Sequence, residues 1–566
     1  MTKKYKFSEE QNGIIRSPID QPIIVDGVVG SGKTLIALER IKYLMNKEDL
    51  NYNNIIFLTS TNFLLDYISE AFSEMNIKKI NKYTFEDFAF AFLEKRIRLI
   101  EEKEKVISWY DRKKMANNKE DIKLKIKESK FKSSLEYKEL IDKYLEYYTN
   151  KLIPKKDFIL ANVRIIKSST VKELFFEKYK EIPLKEKISK IKEEIFLRIQ
   201  QNSYDIIKQI IEKRAIDIQQ LMKKDLSIEQ IKSKKNKIFN KTEKLLQMLY
   251  KSDPKIVDLY FGEIKLKNAR IKYKDFISDF AHENIEDKEL ATLLVENSLP
   301  YLEKSAYKFD DLPAIIYIHL KIYGNNAFKN LKHIVIDNIQ DYGDFQFAVL
   351  KEILNSNSFS LFGDTRQEIF FHNGSNNFET FLLKHFPKIK TFYTELNNSY
   401  SSNNEIAALS NRILKKIPEK YNMILGENKN SDQEFLKVYA TTSYDHIARE
   451  CARKIRQMEK DDTYKSLAIV GRDLKECRSI KKAIGNYVLE PKLIENTTLA
   501  SGDKCVVIPS YLTKGMSFDY VVIVNASEEN YTQDILDVKS LYIAITKANK
   551  KLDIYFVKNI SNLMIE

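Results

Sequence analysis

Near the N-terminus, Gly27-Val28-Val29-Gly30-Ser31-Gly32-Lys33-Thr34 has the G-x-x-x-x-G-K-[ST] spacing of a phosphate-binding loop. The glycines let backbone N–H groups wrap an oxyanion, and a helix N-terminus just beyond adds positive potential. In that chemistry Gly27, Gly30, Ser31 and Gly32 build the cradle. Lys33 reaches the β- and γ-phosphates, and the Thr34 hydroxyl ligates Mg²⁺. Such a loop needs an acidic strand end to complete the metal site. Ile334-Val335-Ile336-Asp337 supplies one, with Gln340 and Asp341 just after it. A third cluster, Gly363-Asp364-Thr365-Arg366-Gln367, follows the apolar run Phe359–Phe362. The ligands implied are a nucleoside triphosphate and Mg²⁺.

Each cluster has to be carried on a strand end. Short apolar runs at 23–25, 55–58, 334–336 and 359–362, and again at 436–439, 467–470, 506–508, 521–524 and 552–555, alternate with helical patterns. That alternation predicts an α/β fold with parallel sheets. There are too many runs for one short sheet, so two α/β domains are expected. The stretch between Gly32 and Gly262 holds no glycine, and within 91–250 only Pro154 and Pro183 could break a helix. Leu184, Ile188, Ile191, Ile195 and Ile199 share one helical face, and Ser227 has the character of an N-cap for a helix through Ile228, Ile231 and Ile238. The expected layout is a first domain of 1–90 plus 305–390, a mostly helical insertion at 91–304, and a second domain at 391–566.

The chain has 566 residues, 43% hydrophobic and 31% charged, which allows sizeable cores and excludes global disorder. It holds no run of 18 apolar residues, and its first residues lack the apolar stretch of a signal peptide. A cytoplasmic protein without membrane contact is expected. Cys451, Cys477 and Cys505 are too dispersed for a disulfide scaffold or zinc ribbon, and the six histidines form no H-E-x-x-H. The net charge is +14, and residues 91–270 alone carry 45 Lys+Arg against 28 Asp+Glu, so the rest of the chain sums to −3. An excess of this size favours nucleic acid or another polyanion. Long solvated lysine-rich helices give the same composition.

The motifs together resemble superfamily 1 helicases of the UvrD/Rep type, over roughly 1–90 and 305–566 and not over the helical insertion. The resemblance implies two RecA-like P-loop domains that close on ATP and an ATP-driven action on nucleic acid, single-stranded DNA in the first instance. It makes Gln11 the adenine-reading glutamine and Gln367 of Gly363–Gln367 the γ-phosphate sensor, and counts Gln340 among the nucleotide-holding groups. Ser399-Tyr400-Ser401-Ser402 aligns with N-Y-R-S, Lys514–Asp519 with K-G-L-E-F-D, and Ile545-Thr546-Lys547-Ala548 with the closing T-R-A. Nucleic acid would lie at Thr59, Asn62, Tyr83, Phe85, Phe371 and His372 of the first domain and Tyr511 and Lys514 of the second. Trp109, in the insertion, is read as a helix-face anchor. Ile508–Gly515, Gln340-Asp341-Tyr342 and Leu541-Tyr542 are similar in wording to HelD, the factor that recycles bacterial RNA polymerase. That branch carries an N-terminal arm before its phosphate-binding loop; with the loop starting at Gly27, the arm is expected to be absent.

Four positions depart from the family pattern. D-E-x-Q reads Asp337-Asn338-Ile339-Gln340, so the water-polarising glutamate is an amide that cannot accept a proton. The two finger arginines become Ser401 and Lys547, and an arginine finger is worth on the order of 10³–10⁵ in rate. Lys547 keeps a charge without the planar fork, Ser401 keeps neither, and Ser517 replaces the ribose-contacting glutamate. Lys33, Thr34, Asp337, Gln340 and Gln367, which hold nucleotide and metal, are intact. The pattern fits a chain that binds ATP and turns it over slowly, or one that docks a protein partner through its helices. RNA polymerase is one such partner, and a nuclease in phage defence another. Two alternatives stay open: a base at Asp341 or Glu368, and a lineage that works as a motor with these residues.

Overall fold

The chain is seen in a computed structural model that describes residues 6–61 except 49; 64, 65, 68, 69, 72, 73, 75 and 77; 80–101 except 96; 119–369 except 263; 374; 377–427; 435–460; 463–495; and 504–565. Asn62, Trp109, Phe371 and His372 lie outside the described residues.

Twelve strands build two six-stranded sheets in which every pairing is parallel. The first holds β1 (Ile23–Gly27), β2 (Ile55–Thr59), β3 (Asn81–Thr84), β4 (His333–Asp337), β5 (Phe359–Gly363) and β6 (Phe392–Leu396), in the order β6-β1-β5-β4-β2-β3. The second holds β7 (Leu436–Thr441), β8 (Leu467–Gly471), β9 (Lys492–Leu493), β10 (Cys505–Pro509), β11 (Phe518–Ile523) and β12 (Ala548–Val557), in the order β7-β12-β11-β8-β10-β9. The fold is therefore α/β with parallel sheets.

Every position of β1, β2, β4, β5 and β8 is buried, as expected for strands covered on both faces. This burial is why these strands stand out in the sequence as unbroken apolar runs. All nine expected runs fall on strands, to within one residue at Val524. The other three, β3, β6 and β9, are edge or near-edge strands with partly exposed, polar-containing sequences such as Asn81-Lys82-Tyr83-Thr84, and no apolar run announces them.

The chain divides into two compact units. One comprises 1–137, 292–313 and 327–566 and contains both sheets, and the other comprises 138–291 and 314–326 and is mainly helical. Residues 119–137 thus belong to the unit that holds the sheets. In the helical unit, Leu184–Gln201 buries Leu184, Ile188, Ile191, Ile195 and Ile199, the five positions that share a face in the sequence. Each fully buried isoleucine is worth about 1.5–3 kcal/mol relative to an exposed one.

Ser227 caps the helix Ile228–Tyr250 in a capping box with Gln230. The helix runs through Ile228, Ile231 and Ile238 as expected; Ile228 is 85% exposed, and the buried positions are Leu246 and Leu249, in its last turns. The helix presents Lys232, Lys234, Lys235 and Lys237 to solvent. Among the described residues no helix is long and apolar enough to cross a membrane.

Candidate nucleotide-binding site

Strands β1, β5 and β4 are neighbours and parallel, so Gly27, Gly363 and Asp337 end on the same edge of the first sheet. Three clusters spread over more than 300 residues of sequence are gathered there, where ligands of open α/β sheets sit. Past β1 the chain turns through Gly30 and Gly32, both left-handed at φ +80° and +85°, and enters the helix Lys33–Lys47. Gly30 has no room for a side chain. A Cβ there would lie 2.0 Å from Ser401 Oγ, because Ser399–Ser401 rests on the loop, with Tyr400 N–H donating to Gly30 O at 3.0 Å and Ser399 Oγ to Val29 O at 2.7 Å.

Lys33 Nζ donates to the carbonyls of Gly27 (2.6 Å) and Val28 (2.9 Å). Burial pushes its pKa down against the opposing pull of Asp364, Asp337 and Asp26. Thr34 Oγ1 donates to Asp337 Oδ2 at 2.6 Å, which brings the two expected metal ligands together. Burial raises the Asp337 carboxyl above its usual range, opposed by the Thr34 hydrogen bond and Lys33. Gln11 sits in the first turn of its helix as half of a capping box with Ser8, and its Nε2 donates to Ser31 O at 3.0 Å, beneath the loop. Gln340 accepts from Asp364 N–H at 3.1 Å and is fully buried. Ser31 Oγ is buried with no hydrogen-bond partner among the described residues, a donor left over in a loop shaped for oxyanions.

A cavity of about 430 Å³ opens on this edge. Gly30, Gly32, Lys33, Thr34, Asp337, Asn338 and Gln367 line it from the first sheet, Ser401 from the strand Asn398–Asn403 of a separate two-stranded sheet, and Ser517, Thr546 and Lys547 from the second sheet. Asp337 is its one carboxylate among the described residues. Lys547 Nζ donates to Gln367 Oε1 at 3.1 Å, while Gln367 Nε2 donates to Asp364 Oδ2 at 2.9 Å. Burial lowers Lys547 to about 7, with Asp364 pulling upward and Lys33 and Lys514 pushing further down. Asn338 follows β4 in the left-handed region at φ +72°, a conformation asparagine tolerates better than most residues.

The two alternative bases stand elsewhere. Asp341 accepts from Lys514 Nζ at 2.8 Å, Glu368 pairs with Lys539 at 3.6 Å, and neither lines the cavity. Lys514 is thus buried against an acid of the first sheet rather than presented to solvent. Of the other residues assigned to nucleic acid, Phe85 is corrected to a packing position, 4% exposed between Phe88, Phe309 and Tyr342. Tyr83 is half-buried against Phe88 and Phe328, and Tyr511 packs on the core of the second sheet. Thr59 is buried, with its Oγ1 unpartnered among the described residues.

Sequence reasoning missed the support beneath the loop. Asp26, one residue before Gly27, accepts from Thr365 N–H and Oγ1, and burial raises it to about 6. Arg366 lies 3.5 Å from both Asp26 and Asp364 and donates to Asn397 Oδ1 at 3.1 Å. A buried charge at the end of an apolar strand was the available signal.

Residues 7–388 match the UvrD/REP helicase N-terminal domain. The chain is 25% identical over 304 residues to "ATP-dependent DNA helicase Rep" of Buchnera aphidicola subsp. Schizaphis graminum, covering 50% of this chain and 43% of that protein. It is likewise 25% identical over 273 residues to the Rep of Buchnera aphidicola subsp. Acyrthosiphon pisum, covering 47% of this chain and 40% of that one. The matched part thus spans less than half the length of these relatives. A solved C-terminal domain of a possible DNA helicase from Lactobacillus plantarum covers 30% of the chain at 24% identity, with a TM-score of 0.24 that is too low to bear on the fold.

Proposed function

Because the chain belongs to the UvrD/REP helicase N-terminal domain family, we propose that it is a superfamily 1 helicase-like protein. In this reading it binds Mg²⁺-ATP in the cavity and acts on nucleic acid, single-stranded DNA first. Residues 1–90 with 305–390 form one RecA-like domain, 391–566 the second, and 91–304 a basic helical insertion in the first. The observation that carries it is the cavity, where Gly30, Gly32, Lys33, Thr34, Asp337 and Gln367 face Ser401 and, from the second sheet, Lys547.

The residues present suit the ligand. Gly30 and Gly32 keep the cradle free of side chains, Ser31 Oγ is a spare donor, and Gln11 braces the loop from below. Lys33 would exchange two carbonyls for phosphate oxygens, a stronger, charge-assisted contact. Thr34 Oγ1 and Asp337 would hold Mg²⁺, which favours one or two protein oxygens plus phosphates and, when bound, screens the phosphate charge. Gln367 would meet the γ-phosphate, steadied by Asp364 and Lys547. Asn338 stands where a base would take the proton from water and cannot accept it, so turnover is expected to be slow.

Steady-state ATP hydrolysis with and without single-stranded DNA or RNA, beside nucleotide binding and with Lys33→Ala as control, tests this. Strand-stimulated turnover that disappears in the control supports a motor. A second reading, an ATP-gated regulatory factor that docks a protein partner, is favoured by Asp337 being the only carboxylate of the cavity among the described residues. The HelD-like wording points to RNA polymerase as that partner, with a nuclease as the alternative. Tight binding without turnover supports this second reading, and no binding at all overturns both.

A further inference from the structure

Helix Ile535–Ile545 and the residues just after it meet the segment Asp364–Glu368 through three side-chain contacts. Tyr542 OH donates to Asp364 Oδ2 at 3.2 Å, Lys547 Nζ to Gln367 Oε1 at 3.1 Å, and Lys539 Nζ pairs with Glu368 Oε2 at 3.6 Å. The first two contacts reach groups of the cavity or their immediate support. The third does not, since neither Lys539 nor Glu368 lines the cavity. Yet both are only 2% exposed, and Glu368 Oε1 is buried with no hydrogen-bond partner among the described residues. A buried ion pair with an unsatisfied oxygen adds little stability over apolar residues of the same size, but it can specify which surfaces meet and in what register. Glu368 directly follows Gln367, and Lys539 lies eight residues before Lys547, about two helical turns. The pair therefore ties together the two pieces of chain that carry Gln367 and Lys547.

We propose that Lys539 and Glu368 are a positioning pair that sets Lys547 against Gln367 across the cavity and so holds it in the shape that retains a nucleoside triphosphate. The proposal rests on the nucleotide-binding reading above. The pair acts through Lys547 and touches no ligand itself.

The test measures association and dissociation rates of a fluorescent ATP analogue with Mg²⁺ on the full chain. The variants are Lys539→Met with Glu368→Gln, which leaves no lone buried charge, Lys547→Met, and all three changes together. Dissociation should quicken about tenfold in the doubly neutral variant and in Lys547→Met, with association unchanged, and the triple variant should be no faster than Lys547→Met. A merely structural pair gives effects that multiply in the triple variant, and that result, or unchanged dissociation in the doubly neutral variant, overturns the proposal. If the doubly neutral variant does not fold, Lys539→Leu with Glu368→Met carries the same cycle, with Lys539→Arg expected to stay near wild type. Wild type that fails to bind the analogue, like Lys33→Ala, overturns the nucleotide reading and this proposal with it. Multiplying effects in a binding-competent protein overturn the proposal alone.

Discussion

On the first-sheet side of the cavity stand Lys33, Thr34, Asp337 and Gln367, while on the opposite side, with Ser401, Ser517 and Thr546, the one ionisable side chain among the described residues is Lys547. The first wall offers a cation, a hydroxyl–carboxylate pair and a loop bent to admit oxyanions. The second offers hydroxyls and a buried lysine already engaged with Gln367. Gripping a triphosphate and stabilising its transfer are separable tasks, because a group that meets ground state and transition state equally adds affinity without rate. On the proposed reading the first wall is equipped for the grip, and the second wall is thinned in the groups that act on the transition state.

Removing the grip should give the largest effect. Lys33→Ala takes away a cation expected to make at least two charge-assisted hydrogen bonds to phosphate, each worth roughly 1.5–3 kcal/mol. Mg²⁺-ATP affinity should fall by about 100-fold or more, read by calorimetry on protein of unchanged melting temperature. A fall of less than threefold would break the comparison at its strong side.

The missing base is the next lever. Asn338→Asp puts a carboxylate at the cavity without demanding a new backbone conformation, since aspartate also tolerates the left-handed region. Asn338→Glu reaches further but costs about 1–2 kcal/mol of backbone strain at φ +72°. If loss of the base limits turnover, at least one of the two should raise ATP hydrolysis by about 10²-fold. No gain in either variant means that the second wall, not Asn338, sets the rate.

How much of this was legible follows from where each residue sits. The nine expected strands lie in parallel sheets, most of them covered on both faces, and burial on both sides leaves an unbroken apolar run in the sequence. Strands β3, β6 and β9 need no such run at or near a sheet edge, and the sequence pattern does not reveal them. Leu184 to Ile199 are legible because one helix face meets one core. The helix after Ser227 is legible from its cap, while its burial is not, because only its last turns, at Leu246 and Leu249, meet a core. Lys33 and Asp337 announce themselves by motif. The Lys539–Glu368 and Arg366–Asp26 pairings cannot, because each joins residues far apart in sequence that carry no fixed spacing.

The helical unit offers a separate contrast, of charge rather than shape, in the exposed lysines of Ile228–Tyr250. Replacing Lys232, Lys234, Lys235 and Lys237 with alanine should weaken single-strand binding about tenfold at moderate salt. The slope of log affinity against log salt should fall by up to about 3 units, at roughly 0.7 for each phosphate left unneutralised. An unchanged slope in a filter-binding titration would remove the charge argument for the helical unit.

The smallest effect probes the second wall alone. Lys547 is held near 7 by burial, against an ordinary lysine value of 10.5. Between these values the unfolded chain binds the proton more readily than the folded one. This group's contribution to stability therefore rises with pH across that window and is flat below it. For the ligand the sign is opposite: a triphosphate favours the charged lysine, so binding at pH 8 should draw in up to about one proton, and binding at pH 6 should draw in almost none. Calorimetry in two buffers of different ionisation enthalpy reads that uptake directly. Lys547→Arg keeps the cation at every accessible pH and should abolish it. Lys33, whose pKa burial also lowers, is the competing source. An arginine variant that still takes up the full proton at pH 8 therefore assigns it to the first wall, and Lys547 then enters the cavity already charged.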